Sequence, residues 1–288
     1  MKKISIFLVY LVVLVSFTLY AVLDTFVIQK VYSKVENVDS SVQTNVSITS
    51  TSYQSDSLEI TINTYRENDT NIYVADIKIT GDTTIKTSFA NNVYSRNVVA
   101  KTSEIASEVN AILAINGDYY GARESGYVLR NGVIYRNTAV KNQEDLVIYT
   151  DGTFGIINES EISLEELLNN GAYQVFSFGP CLVNDGEVAV SVNEEVGQAM
   201  VNNPRTAIGI IDDNHYVFIV SDGRTSASTG LTLNELANFM TSLDVKIGYN
   251  LDGGGSSTMV FNGTVINQPT TNGKSITERK VSDIVYLG

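Results

Sequence analysis

From residue 58 to residue 288, apolar and polar positions alternate in short blocks separated by turn residues. "LEITINTYR" (58–66) and "NIYVADIKIT" (71–80) place every second side chain on an apolar face, the period of a half-buried strand. "DLVIYTDGTFGII" (145–157) reads as two strands around an Asp-Gly turn, and "TAIGIIDDNHYVFIVSDG" (206–223) as a second hairpin. Helical spacing is rarer. In "TLNELANFMTSL", Leu233, Leu236, Ala237, Met240 and Leu243 share one helix face, which is core packing. Thr232 with Glu235, and Ser163 with Glu166, have the spacing of a capping box. A shorter helix is expected over 102–110, "TSEIASEVN". The pattern predicts an α+β fold: a single strand-rich domain with a mixed, largely antiparallel curved sheet flanked by a few helices.

The first residues break that pattern. After "MKK", residues 4–23 carry no charge, and about 20 apolar residues suffice for a membrane-spanning helix. Lys2 and Lys3 hold the N-terminus on the cytoplasmic side. No small-x-small cleavage site adjoins the apolar run, so an uncleaved anchor is expected, with the rest of the chain exported. Residues 38–57 are Ser/Thr-rich and aperiodic, as in a stalk. The expected division is an anchor over 1–30, a stalk over 31–57 and one domain over 58–288. A single-pass protein of the cell membrane, with its C-terminal domain outside, follows from it.

Charge and rare residues exclude several chemistries. A net charge of −13 argues against nucleic acid as a partner. Cys181 is alone and forms no internal disulfide, and no Cys/His spacing suits zinc. His215, the one histidine, sits by the turn "DDNH", and no Gly-x-Ser-x-Gly elbow is present for a Ser-His-Asp enzyme.

Candidate chemistry gathers at strand ends. Two helix-then-strand runs finish in Asn-x-Asp: Asn116 and Asp118 in "AINGDYYG", Asn250 and Asp252 in "YNLDGGGSS". Side-chain alternation puts Asn and Asp of each triplet on one face, so two carboxylates could face one cleft. Gly253, Gly254 and Gly255 permit positive φ and close approach of the backbone to a ligand. Their amides, with the hydroxyls of Ser256 and Ser257, are expected to form an anion nest. Arg205 precedes one strand of the 206–223 hairpin, and Asp222 and Arg224 follow the other. Both guanidinium forks therefore emerge at the same end, suited to phosphate or carboxylate. Arg279 is a weaker candidate for the same place. Calcium or magnesium could sit among carboxylates and carbonyls, but no loop spells a metal motif, and no cofactor is otherwise called for.

These segments, in order, resemble the phosphodiester glycosidase family: "AINGDYYG", "FGPCLVNDGE", "NPRTAIGI", "VSDGRTSASTGLTLNELANFM", "YNLDGGGSSTMVFNG" and "ERKVSDIVYLG". The resemblance covers roughly residues 85–288. Where the family often has Arg-Pro-Val, this chain has Arg279-Lys-Val. The resemblance implies hydrolysis at a sugar carbon bonded to a phosphodiester oxygen, in a cell-surface or exopolysaccharide glycan. It implies Asp118 and Asp252 as the carboxylate pair and Arg205 and Arg224 as phosphate ligands. Asn116 and Asn250 would orient hydroxyls or water, Asp222 would hold Arg224 or a sugar hydroxyl, and residues 253–257 would donate to the phosphate. Gly179 would let the backbone pass close to the pocket, and Tyr119 or Tyr120 would stack on a sugar. Two rivals stay open: a non-catalytic polysaccharide or cell-wall scaffold, and a glycosidase whose arginines grip an acidic sugar.

Overall fold

The computed structural model describes residues 2–35, 46–81, 83–196 and 202–288. Helix α1, Lys2–Phe26, includes a stretch Phe7–Phe26 of mean hydropathy 2.2, none of it buried. By length and composition it is able to cross a membrane. The remainder is strand-rich, and every ladder among the described strands is antiparallel, including those of the sheet expected to be mixed.

Three sheets make the body. The largest has nine strands. Arg205–Asp212 and His215–Ser221 lie at its middle, with Ile247–Asn250 on one side and Thr70–Ile79 and Leu58–Glu67 on the other. A five-stranded sheet runs Thr264–Val265, Met259–Phe261, Leu113–Asn116, Asp283–Leu287, Lys86–Phe89. A second has Ala172–Phe176 between Gly126–Arg130 and Glu144–Tyr149. Their inner faces share one core: Ile60, Ile77, Ile208 and Phe218 from the large sheet meet Ile115 and Val285 from one small sheet and Leu146 and Phe176 from the other. The outer faces are covered by α2 (Thr102–Glu108), α3 (Leu164–Asn169) and α4 (Leu233–Ser242). Burial of both faces explains why Thr70–Ile79 is apolar beyond simple alternation: Val74 faces α4 while Ile77 faces the shared core.

Local signals behave as read, with two changes. Thr232 and Glu235 make the full capping box, with Glu235 N donating to Thr232 Oγ1 (3.0 Å) and Thr232 N donating to Glu235 Oε2 (2.9 Å). At α3 the Ser163 hydroxyl accepts from Glu166 N, and the return bond is not made. The stalk expectation changes more. Ser47–Ile48 and Ser52–Gln54 add two edge strands to the nine-stranded sheet, and Lys30–Lys34 pairs with Val93–Arg96. Hydroxyl-rich sequence can pair along an edge, because the ladder uses backbone groups only. The domain thus recruits residues ahead of 58, and residues 36–45 of the expected stalk lie outside the described residues.

One core group is out of place for a carboxylate. Asp145 is fully buried beside Glu159, and neither of its oxygens receives a hydrogen bond. Three donors converge on Glu159 instead: Tyr127 N, Ser177 Oγ and Val140 N. Asp145 therefore holds a proton, its pKa pushed up to about 10 by burial first and by Glu159 second. In the unfolded chain it ionises near pH ~3.9. Folding takes up a proton between those values, so stability from this group is complete below pH ~4 and is lost as pH rises toward 10, at up to ~1.4 kcal/mol per pH unit. Asp145→Asn removes that dependence. It is expected to melt above the parent at pH 8, with the gap closing toward pH 4, as followed by circular dichroism; a constant gap would place the proton elsewhere.

Candidate active site

The strand ends converge as their register dictates. Ala207 pairs with Asn250, and Arg205 with Ser221, so the start of one strand and the ends of its two neighbours lie side by side. The second sheet joins them through Asn116. Its Nδ2 donates to the Asp252 carbonyl (2.7 Å), while its Oδ1 accepts from the Thr206 hydroxyl (2.8 Å) and from Thr258 N (3.3 Å). Asn116 is fully buried and acts as a brace, not as a sugar ligand.

Above this junction is a cavity of about 340 Å³. Asp252, Asn250, Arg205, Arg224, Gly253 and Gly254 line it, as the sequence suggested. So do Tyr119, Phe178, Arg279 and Arg123. The Asp252 side chain is 13% exposed and receives Arg279 Nη2 at 3.0 and 3.2 Å. Burial pushes its pKa above the ordinary carboxylate value, with Arg279 and Ser256 opposing the shift. Arg279 Nε also donates to Ser256 Oγ (2.8 Å), so Ser256 orients the guanidinium. Asn250 Nδ2 donates to Gly179 O (2.8 Å), which leaves Oδ1 with no protein partner.

Arg205 is buried, donates to Leu231 O (2.8 Å) and pairs with Glu195 (2.7 Å). Arg224, at φ +62, donates to Asn203 Oδ1 (2.9 Å) and to Thr271 O. Its pKa is lowered by burial and then by the charges of Arg279 and Arg205. The guanidinium groups thus repel one another across the cavity, and an entering anion relieves that repulsion.

Four sequence expectations change. Asp118 does not line the cavity. It is 3% exposed, and its Oδ2 meets Arg130 Nη2 (2.8 Å) and Ser177 N (3.1 Å) while Oδ1 accepts from Tyr120 N (2.9 Å). Burial alone would raise its pKa, but Arg130 and those amides hold it below the usual carboxylate range. Both strands end at the Asn of their triplet, two residues before the Asp, so alternation governs neither acid, and Arg130 with the Ser177 and Tyr120 amides turns Asp118 away from the cavity. Asp222 is buried too, accepting from Gln268 N (2.7 Å) and the Tyr73 hydroxyl (3.2 Å), and it grips neither Arg224 nor the cavity. Three of the five amides expected in the anion nest are already spent, as Gly254 N donates to Pro204 O, Ser256 N to Gly253 O and Ser257 N to Gly254 O. Ser257 is fully buried outside the cavity lining.

The glycines have another reason. A Cβ at Gly254 (φ +62) would lie 2.9 Å from Arg224 Nη2, and one at Gly255 2.3 Å from Thr271 Oγ1. They make the floor on which the arginine rests. Of the two tyrosines, Tyr119 is at the cavity and 47% exposed, whereas Tyr120 is buried and stacked on Tyr94.

The sequence reading missed Arg123 and Arg130. Arg123 donates to Ser177 O (2.7 Å) and lies over the Phe178 ring. Its nearness to "GDYYG" was the available signal. Arg130 is buried between Asp118 and Asp283 (2.8 and 3.0 Å), with nothing in its neighbours to announce it. Among the described residues, no three His, Cys, Asp or Glu side chains gather as a metal site.

Fold and site together define a strand-rich domain that holds a carboxylate amid guanidinium groups, a setting suited to an anion. The phosphodiester glycosidase family model matches residues 109–287, and the chain belongs to that family, a family of hydrolases. It is 31% identical over 170 residues to an uncharacterized SPbeta prophage-derived protein, YomE, of Bacillus subtilis (57% of this chain, 26% of that one). It is 30% identical over 190 residues to the Homo sapiens N-acetylglucosamine-1-phosphodiester alpha-N-acetylglucosaminidase (59% and 36%). The matches thus span about a third or less of those relatives' length. The catalytic domain of the zebrafish N-acetylglucosamine-1-phosphodiester alpha-N-acetylglucosaminidase, auto-inhibited by its pro-peptide, shares the fold with a TM-score of 0.61 at 20% identity, covering 91% of this chain and 88% of that one. A hypothetical protein from Synechocystis aligns with a TM-score of 0.57 at 15% identity (81% and 62%).

Asn116→Ala would leave Thr206, Thr258 N and the Asp252 carbonyl without their buried partner. A loss of about 2–4 kcal/mol in urea unfolding is expected; a loss under ~1 kcal/mol would deny Asn116 its bracing role.

Proposed function

We propose that the chain is an exported, membrane-anchored glycosidase that hydrolyses a sugar-1-phosphodiester, of the GlcNAc-1-phosphodiester kind, in a cell-surface or exopolysaccharide glycan. The observation that carries this reading is the crowding of Arg205, Arg224 and Arg279 around Asp252 in a chain of net charge −13. The hydrophobic α1 supports the anchor, with Lys2 and Lys3 on the cytoplasmic side.

The arginines take the phosphate. As the sugar C1–O bond breaks, the phosphate gains charge, and guanidinium groups already in place stabilise it without reorganising. A phosphate leaving group needs little help from a general acid, which suits a cavity whose one lining carboxylate, among the described residues, is Asp252. Asp252 stands on the sugar side, against the oxocarbenium-like charge at C1. Tyr119 and Phe178 offer the ring faces. Retention of configuration in the released sugar would mark Asp252 as nucleophile, and inversion as the base that activates water.

The test uses the full chain in detergent and a GlcNAc-1-phospho-alkyl diester. Free sugar and a phosphomonoester are expected. Asp252→Asn is expected to lower turnover by at least ~10³-fold with its melting curve retained. Polymer binding with no turnover of any phosphodiester or uronide would favour a scaffold instead.

The pH profile gives a separate check. Asp252 acts as the carboxylate, so activity falls as pH drops through its pKa. Arg279 is what lowers that pKa. Arg279→Gln is therefore expected to move the acid limb of kcat/KM to higher pH, as well as weakening phosphate binding. An unmoved limb would separate Asp252 from the titration.

A further inference from the structure

Arg123 lines a second cavity as well, of about 370 Å³. It forms where the strand Lys30–Lys34, leaving α1, pairs with Val93–Arg96. Tyr32, Tyr94, Tyr120 and Tyr135 wall it, and its charges are Arg96, Arg123 and Arg136 against Glu124 alone. Arg136 is committed to backbone carbonyls, donating to Gly126 O (2.7 Å), Arg123 O (2.6 Å) and Tyr120 O (3.0 Å). Arg96 pairs with Glu124 through Nη1, but its Nε is buried with no protein partner. The Ser95 hydroxyl, on a residue 2% exposed, is also unpartnered. Those two groups lie beneath the cavity surface, and what the cavity offers an occupant is its excess of arginine over carboxylate among the described residues.

We propose that this cavity is a second substrate subsite, which takes the next sugar and phosphate of a sugar-phosphate polymer whose scissile unit lies in the Asp252 cavity. The proposal rests on the phosphodiester glycosidase reading of that first cavity and extends it to a polymeric substrate. Continuity comes from neighbours in the chain: Tyr119 lines the first cavity, Tyr120 the second and Arg123 both. The chemistry suits alternating units, with arginine donors for the phosphate and tyrosine rings, apolar in body and polar at the tip, for the sugar. A membrane lipid with the same phosphate would bring acyl chains, and no aliphatic side chain lines the cavity.

The experiment compares a trimer of GlcNAc-1-phosphate repeats with a single-repeat methyl phosphodiester, using the full chain in detergent. The parent is expected to prefer the trimer in kcat/KM. Arg96→Gln is expected to cut that preference about tenfold, the worth of one charge-assisted hydrogen bond. Because Arg96 also pairs with Glu124, Tyr32→Ala serves as the second variant; its ring is 60% exposed, and its loss does not threaten the core. A parent without trimer preference, or variants that lose the same factor on both substrates, would overturn the subsite. So would displacement of bound trimer by phosphatidylglycerol vesicles but not by single repeats. If the parent cleaves neither substrate, the reading of the Asp252 cavity fails separately. Calorimetry then decides the subsite: tighter binding of trimer than of single repeat, abolished by Tyr32→Ala, upholds it, and equal binding refutes it.

Discussion

The site depends on one side chain that never meets its ligand. Asn116 spans two sheets, holding the Asp252 carbonyl from the end of its own strand while accepting from Thr206 in the middle of the other sheet. The Asp252 amide in turn donates to Gly117 O (3.3 Å), so the Asp252 carboxylate is carried on backbone pinned from both flanks. Groups that must meet a transition state within fractions of an ångström are best mounted this way, on element ends and not on free loops.

Beneath that junction lies a charge arrangement that serves the site indirectly. Asp118 and Asp283 flank Arg130 in full burial. One guanidinium cannot neutralise two carboxylates, and burial pushes Asp283 up to about 8, against the pull of Arg130. Asp283 packs on Gly117 so closely that a Cβ there would lie 2.3 Å from its Oδ1. The glycine between Asn116 and Asp118 is thus a packing necessity.

Much of this was legible in the residues. Strong local signals survived into three dimensions: the hairpins at 145–157 and 206–223, the capping box at Thr232 and the apolar stripe of α4. The meeting of the two triplets was legible too, because strand ends in neighbouring sheets have few other places to go. What failed is what depends on the last residue of a strand. Alternation predicts side-chain direction only while the ladder lasts, and Asp118 and Asp252 both lie two residues beyond it, so local partners decide that Asp252 reaches the cavity and Asp118 does not. The anion nest fell short for a related reason. Composition shows that glycines allow close approach, but not whether the approaching group is a ligand or the protein's own Arg224. Arg130 was invisible because a buried arginine looks, in sequence, like any exposed one.

The distribution of charge carries the functional argument further than the identity of any one residue. A chain with 32 acidic and 19 basic residues could surround any cavity with carboxylates by composition alone. Here, among the described residues, the lining holds four arginines and a single acid. Like charges gathered at close range are destabilising, and the pKa of Arg224 is lowered by burial first and then by Arg279 and Arg205. A fold keeps such an arrangement when a ligand supplies the missing negative charge. Arg279 already engages both oxygens of the partly exposed Asp252 and Glu195 answers Arg205, so among the described residues Arg224 and Arg123 have no carboxylate paired to them. The electrostatic deficit is therefore itself a description of what the cavity suits: an anion.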